Sequence, residues 1–435
     1  MSKMTNEGIY NARELGIPKM LLLGFQHLFA MFGATVLVPI LTGLSVQVTL
    51  LCAGLATLLF HVFSKFKVPA FLGSSFAFLG GFAAVKALDS GIYASLTEAE
   101  KLPYACGGIV IAGLLYVILA LIVKLVGIKK VMRFLPPVVT GPIIILIGLT
   151  LAPSAVSNVQ TCWPLAIIAL AVIIICNIWG KGMIKIIPIL LSIVISYIAA
   201  VIMHLCGMTN ADGSAILNFE SAAEAAIIGL PPFALAKFDL SAILVMAPIA
   251  LATMMEHIGD ISAISATTGK NFISDPGLHR TLLGDGVATS LAALFGGPAN
   301  TTYGENTGVL ALSKVYDPFV IRIAAVIAIV LSFVPKFAAL VNSIPTAIIG
   351  GVSFILYGMI SAVGVRNVVE NKVDFTNSRN LIIAAVILVS GLGFSGGITF
   401  TVAGTSITLT GLAIAAIAGI VLNAILPGKD YNFED

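Results

Sequence analysis

Apolar runs of about 20 residues, each long enough to cross the hydrocarbon core of a bilayer, follow one another almost without pause from residue 20 to residue 427. Only 10% of the 435 residues are charged and 59% are hydrophobic, whereas a soluble domain carries about 25% charge. Too little polar surface is available to face water, so the chain reads as an all-α polytopic membrane protein. The net charge of +3 comes without a basic cluster able to hold nucleic acid. Cys52, Cys106, Cys162, Cys176 and Cys206 stand singly and match no zinc or redox spacing. Met1 to Lys19 is polar and lacks the apolar core of a cleaved signal peptide, so the first span is expected to act as its own insertion signal.

Gly, Pro, charge and polar turns divide the apolar runs into about fourteen spans, near 20–43, 46–63, 70–86, 104–125, 135–152, 161–179, 183–206, 239–263, 277–297, 301–316, 318–340, 344–364, 378–396 and 405–427. With both termini in the cytoplasm, this map leaves only Lys86, Lys101, Lys237 and Lys336 of the 23 basic residues outside. That is the asymmetry of the positive-inside rule, and a wrong number of spans would scramble it. The expected location is the plasma or inner membrane.

Two stretches echo each other seven spans apart. Span 3 contains Leu72-Gly73-Ser74-Ser75-Phe76 after Pro69, and span 10 contains Thr301-Thr302-Tyr303-Gly304-Glu305-Asn306 after Pro298. Both are short and polar at their centres. Pro136-x4-Gly141 and Pro345-x4-Gly350 echo in the same way. An odd number of spans between copies reverses their direction, so the pattern implies an inverted repeat. Matched interrupted segments in inverted repeats point to a secondary transporter with its site at the midplane.

Glu256, Asp260, Asp285 and Glu305 are the acids that fall at membrane depth. Each costs about 2.5–3.5 kcal/mol at a helix centre unless it faces a polar interior. Glu256 and Asp260, four residues apart, share one helical face, and His257 points elsewhere. Burial disfavours the charged form of a carboxylic acid, and a second carboxylate nearby disfavours it further. The pair is therefore expected to share a proton, with Glu305 as a further proton-coupling acid. Asp285, near the cytoplasmic end of span 9, is expected to bond neighbouring groups instead.

Extended chain at the midplane leaves N–H and C=O groups that are tolerated only where they line a cavity or meet a ligand. Around Phe76 and Gly304 such N–H groups are expected to meet carbonyl oxygens, with the half-helices that follow pointing their N-termini at the same place. A ring that alternates C=O and N–H groups, as uracil does, suits backbone donors and carboxylate acceptors together. Phe76 and Tyr303 are candidates to cover its faces, Gly304 permits close backbone approach, and Tyr357 faces either lipid or the site. Gln26 and His27 are candidates to brace the broken segments, while Asn300, Thr301 and Thr302 are expected to satisfy local backbone. His61, His204 and His279 form no metal-ligand constellation. No phosphate-binding loop, G-x-S-x-G or zinc-protease helix is present, so neither enzyme nor cofactor is expected.

The segments Gln26 to Thr35, Pro69 to Phe78, Glu256-His257-Ile258-Gly259 and Asn300 to Gly308 resemble spans 1, 3, 8 and 10 of the nucleobase–cation symporter-2 family, also called nucleobase–ascorbate transporters. The likeness extends over nearly the whole chain and is greatest to the family's bacterial uracil carriers. It implies fourteen spans in a seven-plus-seven inverted repeat with short strands in spans 3 and 10. It further implies a core domain of 20–133 and 239–342 and a gate domain of 134–208 and 343–427, the latter often used for pairing as a homodimer. Residues 209–238 would form an extracellular loop, with cytoplasmic tails at 1–19 and 428–435. By position, the resemblance puts Glu256 and Glu305 on the base. It puts the backbone of Ser75, Phe76 and Gly304 beside it, with Tyr303, Ala34 and Tyr357 lining the pocket and Asn306 in support.

Two departures bear on the expected activity, uracil import by proton symport. Asp260 stands where the best-known uracil member has histidine, as in other members that include purine carriers, and Ser313 replaces a threonine of the signature. Against a xanthine or urate carrier stands Glu305, where purine carriers have glutamine. A carboxylate only accepts hydrogen bonds, which suits paired ring N–H donors. An anion exchanger or channel of the same architecture would not be expected to aim three acids inward.

Overall fold

The structure is a computed structural model that describes residues 8–89, 91–402 and 405–428. The first seven residues of the expected N-terminal tail and all but the first residue of the C-terminal tail lie outside these. Among the described residues, seven helices are long and apolar enough to cross a membrane. Pro318–Ser332 and Pro335–Asn342, bent by 90°, would together make an eighth. Each of the fourteen expected spans holds a helix, but several of these are too short or too polar to qualify as spans alone.

Three expectations change. Span 11 is not continuous over 318–340: its helix stops at Ser332 and turns at Pro335, which lacks the N–H that would carry the helix through. Span 14 is helical only over Gly411–Ile425. The residues before it, Thr405–Leu409, form a strand antiparallel to Ile398–Val402, in register Ile398↔Leu409 to Val402↔Thr405. Both strands are rich in β-branched residues, which favour a pleated ribbon over a helix. At the other end, helix 1 already starts at Ile17. Residues before it are pinned rather than free, with Ile9 N–H donating to the Lys314 carbonyl at 2.8 Å and Tyr10 hydroxyl to that of Thr268 at 2.6 Å.

The most extensive helix packing repeats under a shift of seven spans. Val46–Phe63 (span 2) packs on Pro318–Ser332 (span 11), and Leu278–Leu294 (span 9) packs on Glu98–Val126 (span 4). Trp163–Ile178 (span 6) packs on Pro188–Leu205 (span 7), as Ser378–Gly393 (span 13) does on Gly411–Ile425 (span 14). Pro137–Gln160 (span 5) and Thr346–Glu370 (span 12) pair with each other and so map onto themselves. In lipid, helices associate through close packing, so the contacts sit at small residues. A side chain at Gly113 would strike Ser290 and the Gly286 carbonyl, and one at Gly148 would strike Ser361 and the Tyr357 carbonyl.

Between the packed helices lie the two interrupted crossings. Leu72–Ser74 runs antiparallel to Asn300–Thr302, in register Leu72↔Thr302, Gly73↔Thr301 and Ser74↔Asn300. Tyr303 N–H donates to the Phe71 carbonyl at 3.0 Å and Ser75 N–H to that of Ala299 at 2.9 Å, which lengthens the ladder by one rung at each end. Helical structure resumes at Phe76–Phe78, continued by Leu79–Lys86, and at Gly304–Ser313. Gly73↔Thr301 is the middle rung, so the repeat axis passes through it.

Candidate functional site

Span 8 continues as a helix over Ala250–Thr268. Met254, Met255, His257 and Ile258 are buried, whereas Glu256, Gly259 and Asp260 form a half-buried stripe. The stripe faces the second crossing. Asp260 Oδ2 accepts a 2.8 Å hydrogen bond from the Thr302 hydroxyl, and a side chain at Gly304 would come within 3.8 Å of Asp260 Oδ1. Glu305, in the first turn after that crossing, is half-buried and interacts electrostatically with both Glu256 and Asp260. Three carboxyls from two elements thus converge beside the crossed strands. Glu256 Oε2 is buried with no hydrogen-bond partner among the described residues, and so is Ser75 Oγ. Orphaned polar atoms in such a setting are expected where a ligand or water completes the site.

Phe76 closes the other side. Its ring meets that of Tyr357 from span 12 edge-on, with centroids 5.8 Å apart, and both rings are buried. Ala34 is wholly buried, and its carbonyl accepts from Ser74 Oγ at 3.3 Å.

Tyr303 is placed under the strands. Its hydroxyl donates to the Ser74 carbonyl at 2.9 Å and accepts from Thr35 Oγ1 at 3.3 Å, and its ring occupies the space a side chain at Gly73 would fill. It therefore locks the crossing against span 1. Asn306 donates through Nδ2 to the His27 carbonyl at 3.1 Å and lies 3.1 Å from His27 Nδ1, so span 1 is stitched to the second half-helix. Gln26 is buried one residue earlier.

Further groups support the site from behind, and of these Thr57 and Thr289 carried no signal in the sequence. Asp285 is fully buried and lies 2.8 Å from Nδ1 of His257, which is equally buried. The rings of Phe60 and Tyr116 stand edge-on to that imidazole at 6.3 and 6.4 Å. This pair occupies the side of span 8 turned away from the acid stripe. Thr57 and Thr289 bond the backbone of the strands, and Thr302 holds Asp260. Thr302 was expected to satisfy local backbone, but its hydroxyl turns to the Asp260 carboxylate of span 8 instead.

The Permease family model matches residues 18–400. The chain belongs to the nucleobase–ascorbate transporter family. It is a permease, not an enzyme. The family chain is 42% identical to the uracil permease of Bacillus caldolyticus over 424 residues, which covers 95% of it and 93% of the relative. Identity to the uracil permease of Bacillus subtilis (strain 168) is 42% over 92% of this permease and 91% of that one. Solved structures share the fold at low identity. The transmembrane domain of the cyanobacterial bicarbonate transporter BicA aligns with a TM-score of 0.64 at 15% identity, covering 97% of this chain and 100% of that one. SLC26A9 aligns with a TM-score of 0.67 at 13% identity, covering 96% and 66%.

Proposed function

We propose that this permease imports uracil by proton symport across the cell membrane, with both termini in the cytoplasm. The observation that carries the reading is the convergence of Glu256, Asp260 and Glu305 on the ends of two crossed strands. Carboxylates of Glu256 and Glu305 accept the ring N–H groups, and the backbone N–H groups of Phe76 and Gly304 donate to the ring carbonyls. Phe76 covers one face of the base. Asp260, held by Thr302, exchanges the proton with Glu256, so that proton and base occupy the site together. Names of relatives support the substrate: those above are uracil permeases.

Spans 1–4 and 8–11 serve as a core domain that carries the site past a gate domain of spans 5–7 and 12–14, by which two copies pair. The Phe76–Tyr357 contact is where these domains meet beside the site. Asp260 in place of histidine keeps a xanthine carrier as the second reading. Radiolabelled uracil uptake into proteoliposomes, with and without an inward proton gradient and competed by xanthine, tests both. Gradient-stimulated uracil uptake that xanthine barely inhibits is the expected result. Strong inhibition by xanthine would favour the second reading, and uptake indifferent to the gradient would sink symport.

A further inference from the structure

The register of the crossed strands leaves a particular set of backbone groups unpaired. Because Phe71 bonds Tyr303 and Ser75 bonds Ala299, the alternation of an antiparallel ladder turns the N–H and C=O of Leu72, Ser74, Asn300 and Thr302 outward. Outward here is the interior of a membrane protein, where an unpaired backbone group is costly.

One threonine meets the first residue of each strand. Thr57, in span 2, accepts from Leu72 N–H at 2.9 Å, and its own hydroxyl proton lies within reach of the Leu72 carbonyl at 3.2 Å and of the Ala53 carbonyl at 2.8 Å. Thr289, in span 9, accepts from Asn300 N–H at 3.3 Å and donates to the Asn300 carbonyl at 3.1 Å. Spans 2 and 9 are repeat partners, and Leu72 and Asn300 each stand four residues before the helical restarts at Phe76 and Gly304. Thr57 and Thr289 are wholly or nearly wholly buried.

We propose that Thr57 and Thr289 are positioning residues for the substrate site, a symmetry-related pair of hydroxyl clasps that fix where Phe76 and Gly304 present their N–H groups. The inference rests on the reading that those groups bind a nucleobase. Each clasp uses one hydroxyl to accept from a strand N–H and stands within donating reach of the same residue's carbonyl, which valine cannot do at the same volume and serine can.

Purified Thr57→Val, Thr289→Val and the matching serine variants, compared with wild type, test it by two readouts. Uracil affinity is expected to fall roughly tenfold in each valine variant and to recover within about threefold in each serine variant. Without ligand, amide hydrogen exchange is expected to quicken over 70–76 only in Thr57→Val and over 299–304 only in Thr289→Val. Unchanged affinity together with unchanged exchange in the valine variants overturns the clasps, as do serine variants that fail as badly as valine. If one valine variant does not insert, its serine counterpart and the other site carry the test. A wild type that binds no uracil counts against the nucleobase reading instead, and the exchange arm still decides the clasps.

Discussion

The two interrupted crossings share a backbone and differ in chemistry. In each, a three-residue strand is clasped at its first residue by a threonine of the preceding span, and a helix restarts two residues after the strand ends. At that restart the first crossing has Phe76-Ala77-Phe78 and the second has Gly304-Glu305-Asn306. The third strand residue differs likewise. Ser74 spends its hydroxyl on the Ala34 and Thr35 carbonyls of span 1, whereas Thr302 gives its own to the Asp260 carboxylate of span 8. One half therefore carries aromatic and aliphatic walls bonded to main chain, and the other carries the titratable groups. An inverted repeat needs both halves to cross the membrane, but a single small ligand needs charge from only one of them.

If that division is right, the largest effect comes from removing acceptors in the second half. Glu305→Gln and Glu256→Gln are each expected to weaken uracil binding by roughly a hundredfold, since hydrogen bonds to charged groups are about twice as strong as neutral ones. Binding measured on purified protein checks this, and near-normal affinity in the double variant would remove the site from these acids. The converse substitution, Ala77→Glu, adds an acid to the crossing that has none. It is expected to cost about 3 kcal/mol of insertion energy, read as lost yield and a lowered Tm in detergent. A stable Ala77→Glu protein would mean that the first crossing is as tolerant of charge as the second.

Much of this comparison was legible in the sequence, and the part that was not has a common cause. The acids stood out because hydrocarbon rejects them, and the crossings because polar residues after Pro69 and Pro298 interrupt apolar runs. Thr57 and Thr289 did not, because a threonine in a membrane helix ordinarily bonds a carbonyl of its own helix, as Thr49 does to Ser45 and Thr268 to Ile264. Only the neighbouring strand distinguishes the clasps. Tyr303 has the composition of a ligand-stacking residue, and its rotation toward Ser74 and Thr35 depends on strand register. His257 and Asp285 come together only because spans 8 and 9 pack with those faces inward. The strand pair at Ile398–Leu409 was hidden by its apolar content, which suits a span as well as a ribbon.

A smaller effect should separate the two roles within the acid-bearing half. Thr302→Val leaves Glu256 and Glu305 in place but frees Asp260 from its bond. Uracil exchange between equal pools is expected to persist within about threefold of wild type, while gradient-driven accumulation falls roughly tenfold, the scale of one lost hydrogen bond to a charged group. Equal loss of both would place Asp260 in base binding and not in coupling.

The smallest effect lies at an exposed ion pair between the halves. Lys67, just before the first crossing, donates to Asp275 Oδ1 at 2.7 Å, and Asp275 precedes span 9 of the other half. The lysine holds the Asp275 carboxyl below its ordinary value of 3.8. A group depressed on folding stabilises the fold above its unfolded pKa and loses that contribution as pH falls through its folded one. The Tm difference between wild type and Lys67→Met should therefore be small and constant above about pH 5, then vanish as the medium is acidified past the usual carboxylate range. Because both side chains are solvated, added salt should shrink it as well. A difference that survives both acid and salt would mean that Lys67 stabilises the fold through packing rather than through its charge.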